Sequence, residues 1–184
     1  MIIGITGTNG SGKGTVVEYL VQKGFKHYSV RSELLAELER RGLPTDRPHL
    51  GALGDELRKT NGPGYFIRLF KTQSEKERCV DIAIDSLRSV GEAEALKAMG
   101  GILLGVDADP RVRYDRVVVR GSSTDKVDFD TWKKQEEHEW YNPDPHAMNV
   151  PAVIVMADYT IQNNGTLEEL HQQVDAILKQ IKSA

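Results

Sequence analysis

The sequence predicts an α/β fold of three layers, in which a five-stranded parallel sheet carries helices on both faces. The first observation is that short apolar runs alternate with longer amphipathic segments along the chain. Strands that alternate with helices pair in parallel, because each helix crosses back over the sheet before the next strand begins. The second observation is a glycine-rich loop between the first apolar run and the first helical segment. The predicted strands begin at Ile2, Lys26, Cys79, Ile102 and Asp158.

The glycine-rich loop carries the clearest motif of the chain. It reads Gly7, Thr8, Asn9, Gly10, Ser11, Gly12, Lys13, Gly14, Thr15. The apolar run Met1–Ile5 comes before it, and a predicted helix from Lys13 to Gln22 follows. Glycines let the backbone bring its N–H groups close to an anion, and the dipole of the helix favours negative charge at the same place. The spacing up to Lys13 is that of the phosphate-binding loop, G-x-x-x-x-G-K, and predicts that this segment binds the phosphates of ATP.

The residue after the lysine departs from the strict motif. Gly14 stands where the motif has Ser or Thr, and Thr15 supplies the hydroxyl one position later. We therefore expect Thr15, or water, to complete a magnesium site. A glycine-rich turn without a ligand is the alternative interpretation, but such a turn needs neither three glycines nor a lysine.

The segment between the second and third strands is predicted to be helical and to bind the phosphoryl acceptor. After a short strand at Lys26–Val30, the predicted helices cover 33–41, 49–59 and 65–76. Ser29 or Ser32 caps the first of these helices. Arg31 and Arg58 are the cations of this region, residues 31–76, that we assign to the acceptor.

The third predicted strand, Cys79–Asp85, is mostly apolar and ends in a carboxylate. This pattern fits a central parallel strand, which is buried on both faces and carries ligand-binding residues at its carboxyl end. An aspartate at that edge, close to a phosphate loop, can hold hydrated Mg²⁺. Asp85 is therefore the predicted metal ligand. Its alternative role is the N-cap of a helix that starts at Ser86, and the two roles are compatible.

The second half of the chain continues the alternation and adds a polar insertion. The predicted elements are helices at 92–99, from Pro110 onward, at 149–157 and at 167–181, with strands at 102–107 and 158–161. Asp109 is the N-cap of the helix at Pro110, and Thr166 with Glu169 forms a capping box for the last helix. Residues 121–147 are rich in charge and are predicted to form a lid, partly helical between Asp130 and Trp140. The alternative interpretation is that residues 121–147 form an ordinary solvent-exposed surface segment.

Length, composition and charge restrict the class of protein. The chain has 184 residues, 39% hydrophobic and 28% charged, so we expect one globular domain over 1–184. A net charge of −3 gives no overall attraction to nucleic acid or to an anionic membrane. Small-molecule nucleotides are the expected partners, and the oligomeric state stays open. No apolar run approaches the ~20 residues that span a bilayer. The single cysteine, Cys79, and the absence of a leader segment lead us to expect a cytoplasmic protein.

Several arginines follow the predicted phosphate-binding and metal-binding residues. They complete the set of side chains that phosphoryl transfer needs, since this reaction depends on positioning and on neutralising charge. Arg88 follows Asp85 by three residues, and Arg116 and Arg120 precede the lid. The predicted catalytic residues are Lys13, Arg88, Arg116 and Arg120, and the predicted acceptor-binding residues are Arg31, Arg58 and Arg88. A single arginine is as often an ordinary surface residue, so the set is more informative than its members.

The run Gly12–Thr15 resembles the Gly-Lys-Gly-Thr run of nucleoside monophosphate kinases. The segment Asp85–Arg88 is similar to the Asp-x-x-Arg element of the same family, whose arginine grips the phosphate of the acceptor. Arg116 and Arg120 look like the arginines at the base of the lid in that family. The resemblance implies a P-loop NTPase fold and a kinase that depends on ATP and Mg²⁺. Its acceptor would be a nucleoside monophosphate or a similar phosphorylated small molecule.

The C-terminal segment Ala157–Leu170 resembles the signature of dephospho-CoA kinases, in which an Asn-x-Gly turn lies beside the adenine of the donor. The resemblance implies ATP-binding roles for Asn163 and Gly165. The element Ile84–Glu92 most resembles the dephospho-CoA-kinase-like proteins of archaea and small-genome bacteria, and similar domains occur beside deoxycytidylate deaminases. Dephospho-CoA as the acceptor, and a nucleotide-binding regulatory module without turnover, are the alternative functions. Tyr28–Ser32 stands where dephospho-CoA kinases have Asp-x-Asp, which favours a monophosphate.

Overall fold

A computed structural model describes residues 1–121, 128–140 and 147–183. The strands are β1 (Ile2–Gly7), β2 (Lys26–Ser29), β3 (Ile82–Asp85), β4 (Ile102–Asp107) and β5 (Tyr159–Gln162). They form one five-stranded sheet in the order β2-β3-β1-β4-β5, and every neighbouring pair is parallel. The helices are α1 (Lys13–Gln22), α2 (Val30–Arg41), α3 (Arg47–Asn61), α4 (Tyr65–Lys76), α5 (Val90–Ala98), α6 (Pro110–Arg120), α7 (Phe129–Trp140), α8 (Val150–Val155) and α9 (Leu167–Ser183).

Helices cover the sheet on both faces, and each face has its own apolar core. On one face Ile5 of β1 packs in a cluster with Leu20 of α1 and Leu170 of α9. On the other face Ile84 of β3 packs in a cluster with Phe66 of α4 and with residues of α2, α3 and α5. Strands buried on both faces need apolar residues on both, which explains the uninterrupted apolar runs. The predicted fold class is confirmed. No described helix is both long and apolar enough to cross a membrane.

Several helix ends follow from residues that the sequence analysis singled out. Ser29 caps α2, since its side chain accepts from the Ser32 N–H at 3.4 Å. Val30 is therefore the first residue of a helix and not, as predicted, the last of a strand. Thr166 and Glu169 form the predicted capping box, because the Glu169 N–H donates to Thr166 Oγ1 at 3.2 Å and the Thr166 N–H donates to Glu169 Oε2 at 2.8 Å. The bounds of α4 are those predicted.

The predicted start of the third strand at Cys79 is wrong, because the residues before Ile82 end α4 instead. The Cys79 N–H donates to the Ser74 carbonyl at 2.8 Å, and Arg78 adopts a φ of 58°. A backbone that returns to the last turn of a helix through a left-handed residue is a common C-terminal cap. The apolar pattern alone does not reveal this turn.

The alternative role of Asp85 as a helix N-cap is also wrong. The helix after β3 begins at Val90, and Ser89 with Glu92 forms its capping box. The Ser89 N–H donates to Glu92 Oε2 at 3.1 Å, and the Glu92 N–H donates to Ser89 Oγ at 3.3 Å. Asp85 thus lies on a non-helical turn at the end of its strand.

The strand order determines where a site can form. β1 lies at the centre of the sheet with β3 and β4 as its neighbours. The carboxyl ends of parallel strands meet at one edge, and ligands of open α/β sheets bind in the crevice outside that edge. Gly7, Asp85 and Asp107 are the last residues of these three strands. The glycine-rich loop and the predicted metal ligand therefore lie side by side.

The helix α7 is the part of the predicted lid, 121–147, that the structure describes as an element; residues 122–127 and 141–146 lie outside the described residues. It packs on α6 through an aromatic cluster. The Tyr114 ring of α6 lies 5.3 Å from the Phe129 ring and 5.7 Å from the Trp132 ring. These contacts bring α7 over the same edge of the sheet.

Candidate functional site

One cavity of about 1100 Å³ lies at the carboxyl edge of the sheet. The predicted site residues that line it are Gly7, Thr8, Asn9, Gly10, Gly12, Lys13, Gly14, Thr15, Arg31, Arg58, Asp85, Arg88, Arg116 and Arg120. They come from the loop after β1, the turn after β3, and helices α1, α2, α3 and α6. Sequence positions far apart thus converge on one volume large enough for two small molecules.

The conformation of the loop depends on its glycines. Gly7 has a φ of 149°, and a Cβ at this position would collide with the Val106 carbonyl oxygen of β4. Thr8 and Ser11 then close the loop on itself, since Ser11 Oγ donates to the Thr8 carbonyl at 2.9 Å. Asp107 holds the loop from β4, because Thr8 Oγ1 donates to Asp107 Oδ1 at 2.7 Å. Asp107 therefore positions the loop.

The amine of Lys13 lies within the loop and donates to the Thr8 carbonyl at 2.5 Å. Burial lowers the pKa of this amine to about 7, and the positive charges of Arg88 and Arg113 act in the same direction, against two carboxylates of the cavity. A phosphate beside Lys13 would favour the charged amine and raise its pKa again. The site is thus electrostatically prepared for an anion.

Asp85 is a partly buried carboxylate with an unsatisfied oxygen. Among the described residues, its Oδ1 accepts no well-directed hydrogen bond, although His27 Nε2 lies 3.4 Å away. Burial acts to raise the pKa of Asp85, but contacts with His27 and Ser29 and the charge of Lys13 hold that pKa below its ordinary value. Asp85 is therefore an ionised carboxylate with room for another ligand.

These donors fit a hydrated magnesium ion. Within the described ranges no group of three or more His, Cys, Asp or Glu side chains could hold a metal by itself. Mg²⁺ does not require such a group, because it usually keeps several waters and binds one or two carboxylates together with substrate phosphates. Asp85 would supply the carboxylate, and Thr15, which lines the same cavity, would supply a hydroxyl.

The turn after β3 aims Arg88 into the cavity and is fastened to the central strand. The Leu87 N–H donates to the Ile5 carbonyl at 3.2 Å, and Thr6 Oγ1 donates to the Leu87 carbonyl at 2.8 Å. Ser86 adopts a φ of 65°, which is uncommon for a residue with a side chain. A strained residue that lines a cavity is a frequent feature of functional sites.

Arg58 lies at the cavity but is engaged in a buried ion pair. Its side chain is 3% exposed, and its Nε donates at 2.9 Å to Oε1 of Glu92, which is 0% exposed. The other carboxylate oxygen of Glu92 accepts from the Arg88 N–H at 2.9 Å. Arg58 thus supports the turn that carries Arg88, and direct contact of Arg58 with an acceptor stays a prediction. The Ser89-x-x-Glu92 spacing was the sequence signal for this arrangement.

The arginines of α6 lie above the loop. Nη1 of Arg116 is buried without a hydrogen-bond partner among the described residues, and it faces Gly12. Nη2 of Arg120 donates to Asn9 Oδ1 at 3.2 Å. Arg31 lies across the cavity in the first turn of α2 and is exposed. Cations therefore face the cavity from opposite sides.

Ser11, Asn163 and Gly165 are the predicted ATP-binding residues absent from the lining of the cavity. Ser11 is buried inside the loop. Asn163 supports the loop from behind, because its Nδ2 donates to the Ser11 carbonyl at 2.8 Å, and a Cβ at Gly12 would collide with it. Gly165 packs against the Glu169 carboxylate. Contact of these residues with adenine stays a prediction.

Sequence reasoning missed three residues at this site: Arg113, Trp132 and Glu136. Trp132 and Glu136 of α7 line the cavity, and Arg113 of α6 is 2% exposed. Arg113 Nη1 donates to both carboxylate oxygens of Glu136, at 2.5 and 2.6 Å. In the sequence Glu136 is one of many acidic residues of the polar insertion, so no local pattern distinguishes it.

Comparison with known proteins places the chain in a family. A sequence model described as an AAA domain matches residues 3–142. The chain belongs to this AAA domain family. A UPF0200 protein of Sulfurisphaera tokodaii is 30% identical over 181 residues, which cover 98% of this chain and 97% of that protein. A UPF0200 protein of Thermococcus kodakarensis is 29% identical over 100% of this chain and 99% of its own.

Two solved structures resemble the AAA domain of this chain. TT1252 from Thermus thermophilus has a TM-score of 0.63 and 22% identity, over 98% of this chain and 97% of that chain. Shikimate kinase from Aquifex aeolicus has a TM-score of 0.53 and 22% identity, over 100% of this chain and 99% of that chain. At this identity the likeness shows a shared fold, that of P-loop kinases. Membership of the nucleoside monophosphate or dephospho-CoA kinase families stays a prediction.

Proposed function

We propose that this protein is an ATP- and magnesium-dependent kinase that phosphorylates a nucleoside monophosphate or a similar phosphorylated small molecule. One observation carries the proposal: a single cavity collects the phosphate loop, the ionised Asp85 and arginines from several elements of the chain. A turn without function needs no such convergence of charge, whereas phosphoryl transfer between two anions does.

The donor half of the cavity is the glycine-rich loop. Its amides and Lys13 bind the phosphates of ATP, and the lowered pKa of Lys13 rises when they arrive. Asp85, with Thr15 or water, orients Mg²⁺, which neutralises charge on the transferring phosphates when it is bound. The buried Nη1 of Arg116 and the guanidinium of Arg120 face the same phosphates.

The acceptor half lies between α2, α3 and the turn after β3. Arg31 and Arg88 hold the phosphate of the acceptor, so that one of its oxygens faces the γ-phosphorus. That oxygen attacks, the bond from the γ-phosphorus to the bridging oxygen breaks, and ADP leaves. The Arg58–Glu92 pair keeps Arg88 in position through the Arg88 N–H. Because Arg31 and Arg88 suit any phosphate, they do not select the base.

The test is ADP release in the presence of ATP and Mg²⁺ against a panel of ribonucleoside and deoxyribonucleoside monophosphates and dephospho-CoA. One acceptor should raise ADP release well above the background rate. Lys13→Ala should lower that rate by about 10³-fold, the loss typical of one preorganised charge at a developing anion.

Lys179→Ala is the matched control, since Lys179 is an exposed lysine of α9 away from the cavity, and its rate should equal that of the wild type. Normal turnover of the Lys13→Ala variant would refute the mechanism. Tight ATP binding without transfer to any acceptor would instead support the regulatory module.

A further inference from the structure

The contact between α7 and the phosphate loop centres on Asn9. Its backbone N–H lies beside the Glu136 carboxylate and acts to lower the pKa of that carboxyl. Its carbonyl accepts from Arg113 Nη1 at 3.3 Å, and its Oδ1 accepts from Arg120 Nη2 at 3.2 Å. The carbonyl and the side chain of this loop residue are thus held by α6, and the Glu136 carboxylate of α7 lies beside its N–H. The glycine-rich loop and α7 therefore contact each other at Asn9.

The side chain of Glu136 is buried beside the loop. Its side chain is 7% exposed and pairs with Arg113, whose side chain is 3% exposed. The Trp132 ring, on the same helix, lies 5.1 Å from Cζ of Arg113, so Arg113 is enclosed between Trp132 and the loop. Burial raises the pKa of Glu136, while Arg113 acts to lower it. The carboxylate contacts the loop from the cavity side, because Glu136 lines the cavity.

A carboxylate on an amide of a phosphate-binding loop occupies a position where an anion binds. Two negative groups that share such a position repel each other strongly at close range. The γ-phosphate of a nucleotide and the ionised Glu136 therefore compete for the same amide. Resting on the proposed function, we infer that Glu136 is an internal competitor of the donor phosphates, bound to Asn9 in the ligand-free protein and displaced when a triphosphate enters.

This arrangement gives α7 a second state. When a triphosphate displaces Glu136, Arg113 keeps its bond to the Ala108 carbonyl, 3.0 Å from its Nε, and turns its remaining donors toward the phosphates. The apparent affinity for the donor is lowered because only the molecules in which Glu136 has left the loop can bind it. A lid that is released by the donor and then closes over both substrates would restrict hydrolysis of ATP by water.

The test is calorimetric titration with inorganic tripolyphosphate and, separately, with the non-hydrolysable analogue AMP-PNP. Glu136→Gln removes the charge at nearly constant size and should tighten both Kd values by about tenfold, a typical coupling between two states. Glu137→Gln is the matched control, because Glu137 is the next residue of α7 and its side chain is 51% exposed. Its Kd values should equal those of the wild type.

The outcomes separate this inference from the proposed function. Binding that is equally tight in the wild type and in Glu136→Gln overturns the inference alone. Absence of binding in every variant overturns the proposed function and the inference together. Tighter AMP-PNP binding with unchanged tripolyphosphate binding also overturns the inference, because the effect would then come from the nucleoside.

A second measurement needs no change at Glu136. In a Trp140→Phe variant the remaining tryptophan, Trp132, packs against Arg113 and reports on α7. Saturating tripolyphosphate should change its fluorescence emission, since the ring loses or alters its contact with the guanidinium. An emission spectrum that stays constant while calorimetry shows binding would overturn the displacement of α7.

Discussion

Two buried arginine–glutamate pairs flank the cavity, and they differ in what surrounds them. Arg58 and Glu92 join α3 to α5, and Phe66 of the core lies 5.5 Å from the guanidinium. Glu92 also accepts from the backbone of the turn before α5. Arg113 and Glu136 instead join α6 to α7, which covers the cavity. The first pair is enclosed by the core, and the second lies between the core and α7.

The difference shows that a buried arginine–glutamate ion pair can form either a fixed contact or a reversible one. A buried ion pair gives little net stability when it is intact, but removal of one partner leaves an uncompensated charge. Without the charge of Glu92, Arg58 keeps, among the described residues, only the more distant carboxylate of Asp55, 3.4 Å from its Nη1, because α3 and α5 are both packed in the core. At Glu136 the orphaned Arg113 can be hydrated when α7 moves. The pairs should therefore respond differently to the same substitution.

The largest expected effect on stability is at the enclosed pair. Glu92→Gln should lower the free energy of unfolding by about 3–5 kcal/mol, the loss typical of a broken buried pair, or about 10 °C in Tm for a chain of this size. Glu136→Gln should lower it by about 1 kcal/mol, because hydration compensates Arg113. Urea unfolding of both variants measures the difference. Equal losses would contradict the contrast between a fixed and a reversible pair.

The amine of Lys13 should have a pH-dependent effect on stability. Its pKa in the folded protein is about 7, below the ordinary value of about 10.4 that it has when unfolded. Between these values the unfolded chain holds more protons, so this group makes the folded state less stable as the pH falls from about 10 to 7, with the full penalty below pH 7.

Lys13→Met removes this penalty. The variant should melt above the ligand-free wild type at pH 6, by about 2–4 °C for each kcal/mol gained, and the difference should vanish near pH 10. Saturating tripolyphosphate should reverse the order, since only the wild type binds it well. A difference in Tm that does not change with pH would show that burial of charge is not its cause.

The smallest effect on stability is expected at Ser86, in the turn after β3 that the Arg58–Glu92 pair supports. Ser86 has a φ of 65°, and Arg78, outside the cavity, has a φ of 58°. Glycine adopts this conformation without a steric penalty but is more flexible when unfolded, so Ser86→Gly should change the free energy of unfolding by less than about 1 kcal/mol. Arg78→Gly is the matched control for stability.

ADP release should then separate these two positions. If the fixed pair rather than Ser86 holds Arg88 in place, Ser86→Gly should retain the wild-type rate, as Arg78→Gly does. A large loss of rate in Ser86→Gly alone would show that the turn itself, and not the Arg58–Glu92 pair, positions Arg88.

Local patterns predicted much of this molecule because their causes are local. The glycines and Lys13 of the loop, the apolar run that ends in Asp85, and the capping residues Ser29 and Thr166 act within a few residues of their own positions. The places where prediction was wrong also have a local cause that the apolar pattern hides, as at Cys79, which ends a helix instead of starting a strand.

By itself the sequence determined the fold class, and it predicted the glycine-rich loop and the charged residues of the site. The tertiary structure decided which of those charges face the cavity and which are neutralised. Arg58 and Arg88 look alike in sequence, yet Arg58 is paired with Glu92 and supports the turn that carries Arg88. Glu136 is one acidic residue among many until α7 packs on α6 and brings its carboxylate to Asn9. Burial and pairing depend on contacts between distant segments, and no short stretch of sequence contains them.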